Sequence, residues 1–349
     1  MDARQMEILN QKKIVVIQTA FLGDAVLTLP MLEILAKNNP NAIIDVVAIP
    51  TNSEIFLASP FVHEVIIYDK RNVHKGIRAL FVFAKELRNK NYDVVIAPHR
   101  SLRSSLLVLF SGIEESIGYT NASLSIVYKH CVEYQYDLHE AARNISLVSD
   151  HAKEGYSKFL PKVNFDDAAK KKIDDFLFTV DQSKKLVAIS PGSIWFTKRY
   201  PKEHFISICR ALLQKNYLIL VIGSGTEFNL NEEIRLTLNA GCINTAGKFS
   251  VLETIYLLSK CVLLVTNDSG PTHFGMAADI PVVTIYCSTI PDFGFSPYNG
   301  KSSTVSLNDL QCKPCGIHGY EACPLSHFNC GQKLLPVMVL QEIEHLLDL

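Results

Sequence analysis

Apolar residues along this chain fall in short β-branched runs separated by stretches of helical periodicity, and the alternation is played out twice. Lys13–Gln18 (KIVVIQ) has the composition of a strand at the centre of a parallel sheet. Ala25–Asn38 follows with Val26, Leu29, Leu32 and Leu35 on one helical face, and Pro30 within it predicts a kink or a late start. Strands at Ile43–Ala48, Glu64–Tyr68 and Asp93–Ala97 then alternate with helices at Glu54–Ala58 and Ile77–Asn89. A polar, Lys-rich stretch from Phe165 to Lys185, with a helix at Asp167–Phe176, separates the two halves. In the second, strands at Leu186–Ser190, Tyr217–Ile222, Ile243–Ala246, Val262–Val265 and Val282–Tyr286 alternate with helices at Glu203–Lys215 and Val251–Ser259 and one opening at Pro271. Ser303–Ser306 reads as an edge strand and Pro336–Leu347 as a closing amphipathic helix. The pattern specifies an α/β chain of two doubly wound, Rossmann-like domains. The expected boundaries are 1–165 and 166–335, with 336–349 a C-terminal helix packing back on the first domain.

Composition agrees with that division. A chain of 349 residues exceeds one ordinary core. With 48% hydrophobic residues and a mean hydropathy of +0.15 it is globular rather than disordered. The formal net charge of −1 gives no argument for nucleic acid, and none is expected as a partner. Residues 1–13 lack the charged-then-apolar order of a signal peptide, and no apolar run approaches the ~20 residues a membrane span needs. The expectation is a cytoplasmic protein whose membrane contact is peripheral. A basic stretch running through Lys70, Arg71, Lys75, Arg78, Lys85, Arg88 and Lys90 reads as a solvated face that would also suit an anionic membrane surface.

The candidate chemistry sits where strands end, which is where open α/β sheets bind ligands. After the first strand, Gly23 permits a close backbone approach and Asp24 is either a helix cap or a general base. After Ala97, Arg100 and Arg103 suit an anionic acceptor or simply begin a solvated helix. In the second half Gly192 and Ser193 offer donors, Thr197 a hydroxyl and Lys198 a point charge for phosphate; Glu227 follows as a ribose contact. Thr266–Gly270 ends a strand and Pro271 opens a helix, a start whose N–H groups and dipole suit a diphosphate at Ser269 and Gly270. Asp268 can accept from sugar hydroxyls, and His273 lies in the first turns of that helix. No complete G-x-G-x-x-G or P-loop is present, which counts against nicotinamide and P-loop chemistry. Cys312, Cys315, Cys323 and Cys330 have the look of a tetrahedral thiolate zinc site, though the spacing is not that of paired knuckles; packed free thiols are the competing reading.

Taken together, FLGDAVLTLP, PGSIWFTKRYP, TNDSGPTHFGMA and the late CKPC with CPLSHFNC resemble the ADP-heptose:lipopolysaccharide heptosyltransferases of glycosyltransferase family 9. PHRSLRSS and the cysteine-rich tail are most similar to the heptosyltransferase II branch. The resemblance implies a GT-B fold, two Rossmann-like domains facing across a cleft, with acceptor in the first and nucleotide-sugar in the second. It implies an inverting transfer of heptose from ADP-heptose to a heptose hydroxyl of the lipopolysaccharide inner core at the inner face of the cytoplasmic membrane, with no cofactor required for catalysis. Asp24 then matches the acceptor base, Lys198 the diphosphate ligand, and Asp268, Ser269 and Gly270 the donor loop, with His273 in the same motif. Another GT-B nucleotide-sugar enzyme, such as a second transferase or an epimerase, and a non-catalytic nucleotide-sugar binding protein are the alternatives.

Overall fold

A computed structural model describes residues 13–150 and 155–348. The chain divides into two compact units, one ending at Asn164 and the other beginning at Phe165. In the first, β1 (Lys13–Gln18), β2 (Ile43–Ala48), β3 (Glu64–Ile67), β4 (Val94–Ile96), β5 (Glu115–Tyr119) and β6 (His130–Val132) form a six-stranded sheet in the order 3-2-1-4-5-6. Every pairing is parallel. Helices cover both faces, so β1 is apolar on both sides and Ile14, Val15, Val16 and Ile17 are wholly buried.

Helix α1 (Leu22–Asn38) runs unbroken through Pro30, so the late start does not occur. Its residues from Ala25 to Leu35 are buried on all sides, because it packs against α5 (Glu140–Ser146) as well as the sheet. The short α2 (Ser53–Leu57), then α3 (Ile77–Asn89) and α4 (Leu102–Ser111), complete the helices labelled here for this unit. β5, β6, α4 and α5 were not placed by hydrophobic periodicity.

The second unit opens with α6 (Asp167–Phe178). It continues through β7 (Leu186–Ser190), α7 (Lys202–Gln214), β8 (Leu218–Val221), α8 (Phe228–Leu238), β9 (Cys242–Asn244) and α9 (Val251–Leu258). Then come β10 (Leu263–Asn267), α10 (Gly270–Ala277), β11 (Val282–Tyr286), β12 (Ser303–Ser306), α11 (Asn329–Gln332) and α12 (Pro336–Leu347). The sheet order is 12-11-10-7-8-9, again all parallel, with β12 at an edge. Counted from its own first strand, this is the same topology as the first unit, with the strand order reversing between its first and fourth strands. The closing helix α12 belongs to the second unit. Its buried residues Val339 and Ile343 complete the core of the second unit, against α7, β11 and β12, because that core needs a cover beside the edge strand. Among the described residues no helix is long and apolar enough to cross a membrane.

Candidate active site

In each unit the sequence-selected residues gather at the switch point of the sheet. In the first unit that point lies between β1 and β4. Gly23 and Asp24 occupy the first turn of α1, whose N-cap is Phe21. The phenyl ring of Phe21 cannot accept a hydrogen bond, so only half of a capping box exists: the Phe21 N–H donates to Asp24 Oδ2 at 3.2 Å. Burial, then the charge of Glu140, pushes the Asp24 carboxyl up to about 7, against the opposing pull of the Phe21 N–H, its own N–H and Arg100. Cap and base are therefore not exclusive readings.

The backbone under Asp24 is fixed by a chain of polar side chains. Thr28 Oγ1 donates to the Asp24 carbonyl at 2.7 Å, and Gln18 Nε2 donates to Thr28 Oγ1 at 2.8 Å. Asn52 Nδ2 donates to the Ala20 carbonyl and Lys70 Nζ to that of Thr19. Lys70 thus belongs to the site rather than to the solvated face. His99, on the turn after β4, shares hydrogen bonds through Nδ1 with Thr19 (2.9 Å) and Ser104 (3.1 Å). Burial, with Lys70 and Arg100 nearby, depresses it to about 4, so it is neutral at physiological pH.

Arg100 lies over the Tyr134 ring, 3.8 Å from its centroid, leaving its charge within the field of Asp24 and His99. Arg103 is committed elsewhere: its Nη1 donates to Tyr68 Oη at 2.9 Å and to the His74 carbonyl at 3.2 Å. Of the two arginines, Arg100 stands with Asp24. Behind it is a group the sequence reading missed. Glu140 accepts from Tyr134 Oη (2.9 Å) and from Arg143 Nη1 (3.0 Å), and Arg143 is itself buried. Nothing in the local pattern around Glu140 signals this, since the pairing depends on Tyr134 outside the helix, while α5 buries Ala141, Ala142 and Ile145 beside it.

In the second unit the switch point lies between β7 and β10. Lys198 ends a 3-10 turn (Phe196–Lys198), and its Nζ lies 2.6 Å from Asp268 Oδ2. Thr289 Oγ1 donates to the same carboxylate oxygen at 2.7 Å. The two residues assigned separately to phosphate and sugar are thus partners. Thr197 is buried, and its hydroxyl accepts from the Tyr320 N–H (2.8 Å) and from Ser288 Oγ (3.0 Å), so it is a structural clamp. The Ser193 hydroxyl bonds to nothing among the described residues and is the freer of the two.

Ser269 is the N-cap of α10, yet its hydroxyl donates back to the Asn267 carbonyl at 3.2 Å instead of accepting from the helix. The first turn at Gly270 therefore lacks a side-chain cap, which leaves its positive end directed at whatever lies beyond. His273 is buried further along the same helix. Glu227 accepts from the Ser224 N–H (2.7 Å) and hydroxyl (2.8 Å). Its carboxylate sits so close over Gly192 that a Cβ there would fall 1.7 Å from Oε1, which explains the glycine.

Two further residues were not singled out as site groups. Fully buried Asn267 ties the strand end to the facing loop, accepting from the Tyr200 N–H at 3.0 Å and donating to the Pro191 carbonyl at 2.8 Å. His318 is held low by burial and by Lys198. It arrives on the segment whose Gly319 packs against Thr197 and Lys198, so part of the cysteine-rich tail serves this site.

The four tail cysteines are free thiols. They do not form the one group of three or more metal-ligating side chains whose ligand atoms lie within 4.8 Å among the described residues; that group is Asp45, His63 and Glu64. Asp45 is already satisfied by His63 (2.9 Å) and Tyr92 Oη (2.7 Å).

Residues 80–321 match the model of glycosyltransferase family 9 (heptosyltransferase). Lipopolysaccharide heptosyltransferase 2 of Salmonella typhimurium is 26% identical over an alignment covering 96% of this chain and 99% of that protein. The Escherichia coli enzyme of the same name is 25% identical, covering 84% and 88%. Among solved structures, E. coli ADP-heptose lps heptosyltransferase II superposes with a TM-score of 0.76 at 24% identity, over 96% of this chain and 98% of that one.

Proposed function

This chain belongs to glycosyltransferase family 9, and from that premise we propose that it moves heptose from ADP-heptose to a heptose hydroxyl of a lipopolysaccharide inner core, with inversion, as heptosyltransferase II enzymes do. The observation that carries the reading is the Asp24 carboxyl, half-buried in the first turn of α1 at a strand-end switch point, where it accepts from the Phe21 N–H and burial pushes it up to about 7. A general base works best when its pKa lies near the operating pH.

In the reaction, Asp24 accepts the proton of the acceptor hydroxyl as that oxygen bonds to the heptose anomeric carbon. The bond from that carbon to the diphosphate breaks, and ADP leaves with the electron pair. Arg100, beside Asp24, binds anionic groups of the acceptor, while Arg103 braces the loop that holds it. The second unit holds the donor. The uncapped N–H groups at Ser269 and Gly270 and the Lys198 ammonium take the diphosphate charge, with Ser193 as a further donor. Diphosphate binding draws Lys198 away from Asp268, freeing that carboxylate to accept from sugar hydroxyls; Glu227 lies with the nucleotide and His273 supports the loop from within. Every step is carried by side chains and helix N–H groups.

The acceptor is lipid-linked, which places the protein peripherally at the inner face of the cytoplasmic membrane. An epimerase or a nucleotide-sugar sensor has no use for a near-neutral base in the unit that does not hold the donor. The test is ADP release from ADP-heptose with a heptose-bearing core acceptor. Turnover by the wild type, lost in Asp24→Asn with ADP binding intact, supports the reading. Release of free sugar in place of transfer overturns it.

A further inference from the structure

Helix α3 is amphipathic in an unusual sense. Its inner stripe of Leu80, Phe83, Ala84 and Leu87 is fully used in the core of the first unit. Its outer side nevertheless carries large apolar residues: Ile77 is 61% exposed, Phe81 53% and Val82 57%. Val73 precedes them, exposed, on the entering loop. The Phe81 ring meets Phe110 of α4 edge-on at 5.4 Å, and exposed Leu109 lies beside Phe110 in the chain, so the apolar surface is continued onto a second helix.

Cations are interleaved with this surface. Arg71, Lys75, Arg78 and Lys85 are exposed and form no ion pair among the described residues. The other basic residues of the stretch are engaged: Lys90 with Glu64, Arg88 with the carbonyls of Phe110 and Ser111, and Lys70 with that of Thr19. Glu86 is the single acid on α3. On α6 of the other unit the lysines are balanced instead: Lys170, Lys171 and Lys172 lie against Asp167, Asp175 and Glu253. An unbalanced basic face that also carries Phe, Ile and Val is the composition of a helix lying in a lipid headgroup region. Protein interfaces, by contrast, are depleted in lysine.

We propose that the outer face of α3, continued by Phe110 and Leu109 of α4, is the surface by which this chain docks on an anionic lipid bilayer. Phe81, Ile77 and Val82 enter the headgroup boundary, and Arg71, Lys75, Arg78 and Lys85 meet lipid phosphates. The proposal rests on the reading that the acceptor is lipid-linked, and it names the contact that would carry the enzyme to it.

The test is sedimentation of the full chain with vesicles of phosphatidylethanolamine and phosphatidylglycerol, and with phosphatidylcholine vesicles as the neutral control. Wild type should pellet with the anionic vesicles alone, the more weakly as salt rises. Arg78→Gln with Lys85→Gln should weaken binding about fivefold per cation. Ile77→Asn with Phe81→Asn should weaken it about tenfold or more. Lys171→Gln on α6 should bind as wild type. All variants should transfer heptose to a delipidated, soluble core acceptor at the wild-type rate, and the α3 variants, but not Lys171→Gln, should lose transfer to acceptor embedded in vesicles. If the α3 variants pellet like wild type, or wild type binds neutral vesicles equally well, the surface assignment is wrong. If they lose self-association in light scattering instead, the face is a protein interface and the proposal also fails. Vesicle binding through α3 without transfer to any core acceptor would leave the docking surface standing and refute the heptosyl-transfer reading.

Discussion

Asp24→Asn should make the first unit more stable while abolishing activity, and the stability gain should depend on pH in a defined way. In the unfolded chain the carboxyl ionises near 3.8, and in the folded unit near 7. Between those values the folded state binds more protons, so wild-type stability falls as pH rises and the deficit becomes constant above pH 7. At 1.36 kcal/mol per unit the deficit is about 2 kcal/mol at pH 5 and about 4 kcal/mol at pH 8. Asparagine has no charge to bury and keeps an oxygen to accept from the Phe21 N–H, so it escapes the deficit. Trp195, the chain's one tryptophan, lies in the second unit and would not report this change. Amide exchange of the peptide covering α1, read by mass spectrometry at matched pH, does. If α1 exchanges through opening of its whole unit, the variant should exchange about a thousandfold more slowly than wild type at pH 8 and about fifteenfold at pH 5. Equal protection at pH 8, or a gap that does not change with pH, would refute the claim that burial raises this carboxyl.

Four other outcomes follow from the same geometry. Glu140→Gln removes the charge that helps raise Asp24, so the acid limb of kcat/KM, which rises as the base deprotonates through about pH 7, should move to lower pH. Lys198→Ala should weaken ADP binding by about ten- to a hundredfold in calorimetry, the loss expected for a charge-assisted bond to phosphate. Gly192→Ala should destabilise the second unit by about 1–3 kcal/mol, read by Trp195 fluorescence in urea, and Gly192→Ala with Glu227→Ala should recover most of it. Burial opposes ionisation of Cys323, but the N–H groups of Phe328, Leu325, His327 and Ser326 outweigh it and hold the thiol below the usual range. Burial pushes Cys330 up to about 11, and Cys315 and exposed Cys131 are raised as well. Iodoacetamide at pH 7.5 should therefore label Cys323 before Cys131, as peptide mapping would show.

The parts of the fold legible in sequence are those whose burial is two-sided. β1, β7, β10 and β11 read as apolar runs because helices cover both faces of each sheet. β6 is a short edge strand with no buried residue to mark it, and α5 buries Glu140 against Arg143, and Asn144 against Tyr119 Oη and the Leu27 carbonyl, which no hydrophobic period records. The proposed site was legible where polar groups stand at strand ends, as with Asp24, Lys198 and Asp268. It was not legible where a residue acts through tertiary contact. Glu140 tunes a carboxyl 116 positions earlier in the chain, His99 is kept neutral by burial and by Lys70 and Arg100, and Gly319 and His318 reach Lys198 from a tail whose cysteines read as either a zinc site or packed thiols. Thr197 and Arg103 show the converse: residue types suited to ligand binding whose polar groups the fold uses internally.

Asp24 is proposed as the base for transfer from ADP-heptose. The most direct measurement is ADP release with a heptose-bearing core acceptor across pH 5.5 to 9, for wild type and Asp24→Asn. The wild-type rate should climb through about pH 7 to a plateau. The variant should be slower by about a hundred- to ten-thousandfold, without that climb, and should bind ADP as well as wild type. A variant that keeps wild-type turnover, or the same pH limb, would contradict the proposal.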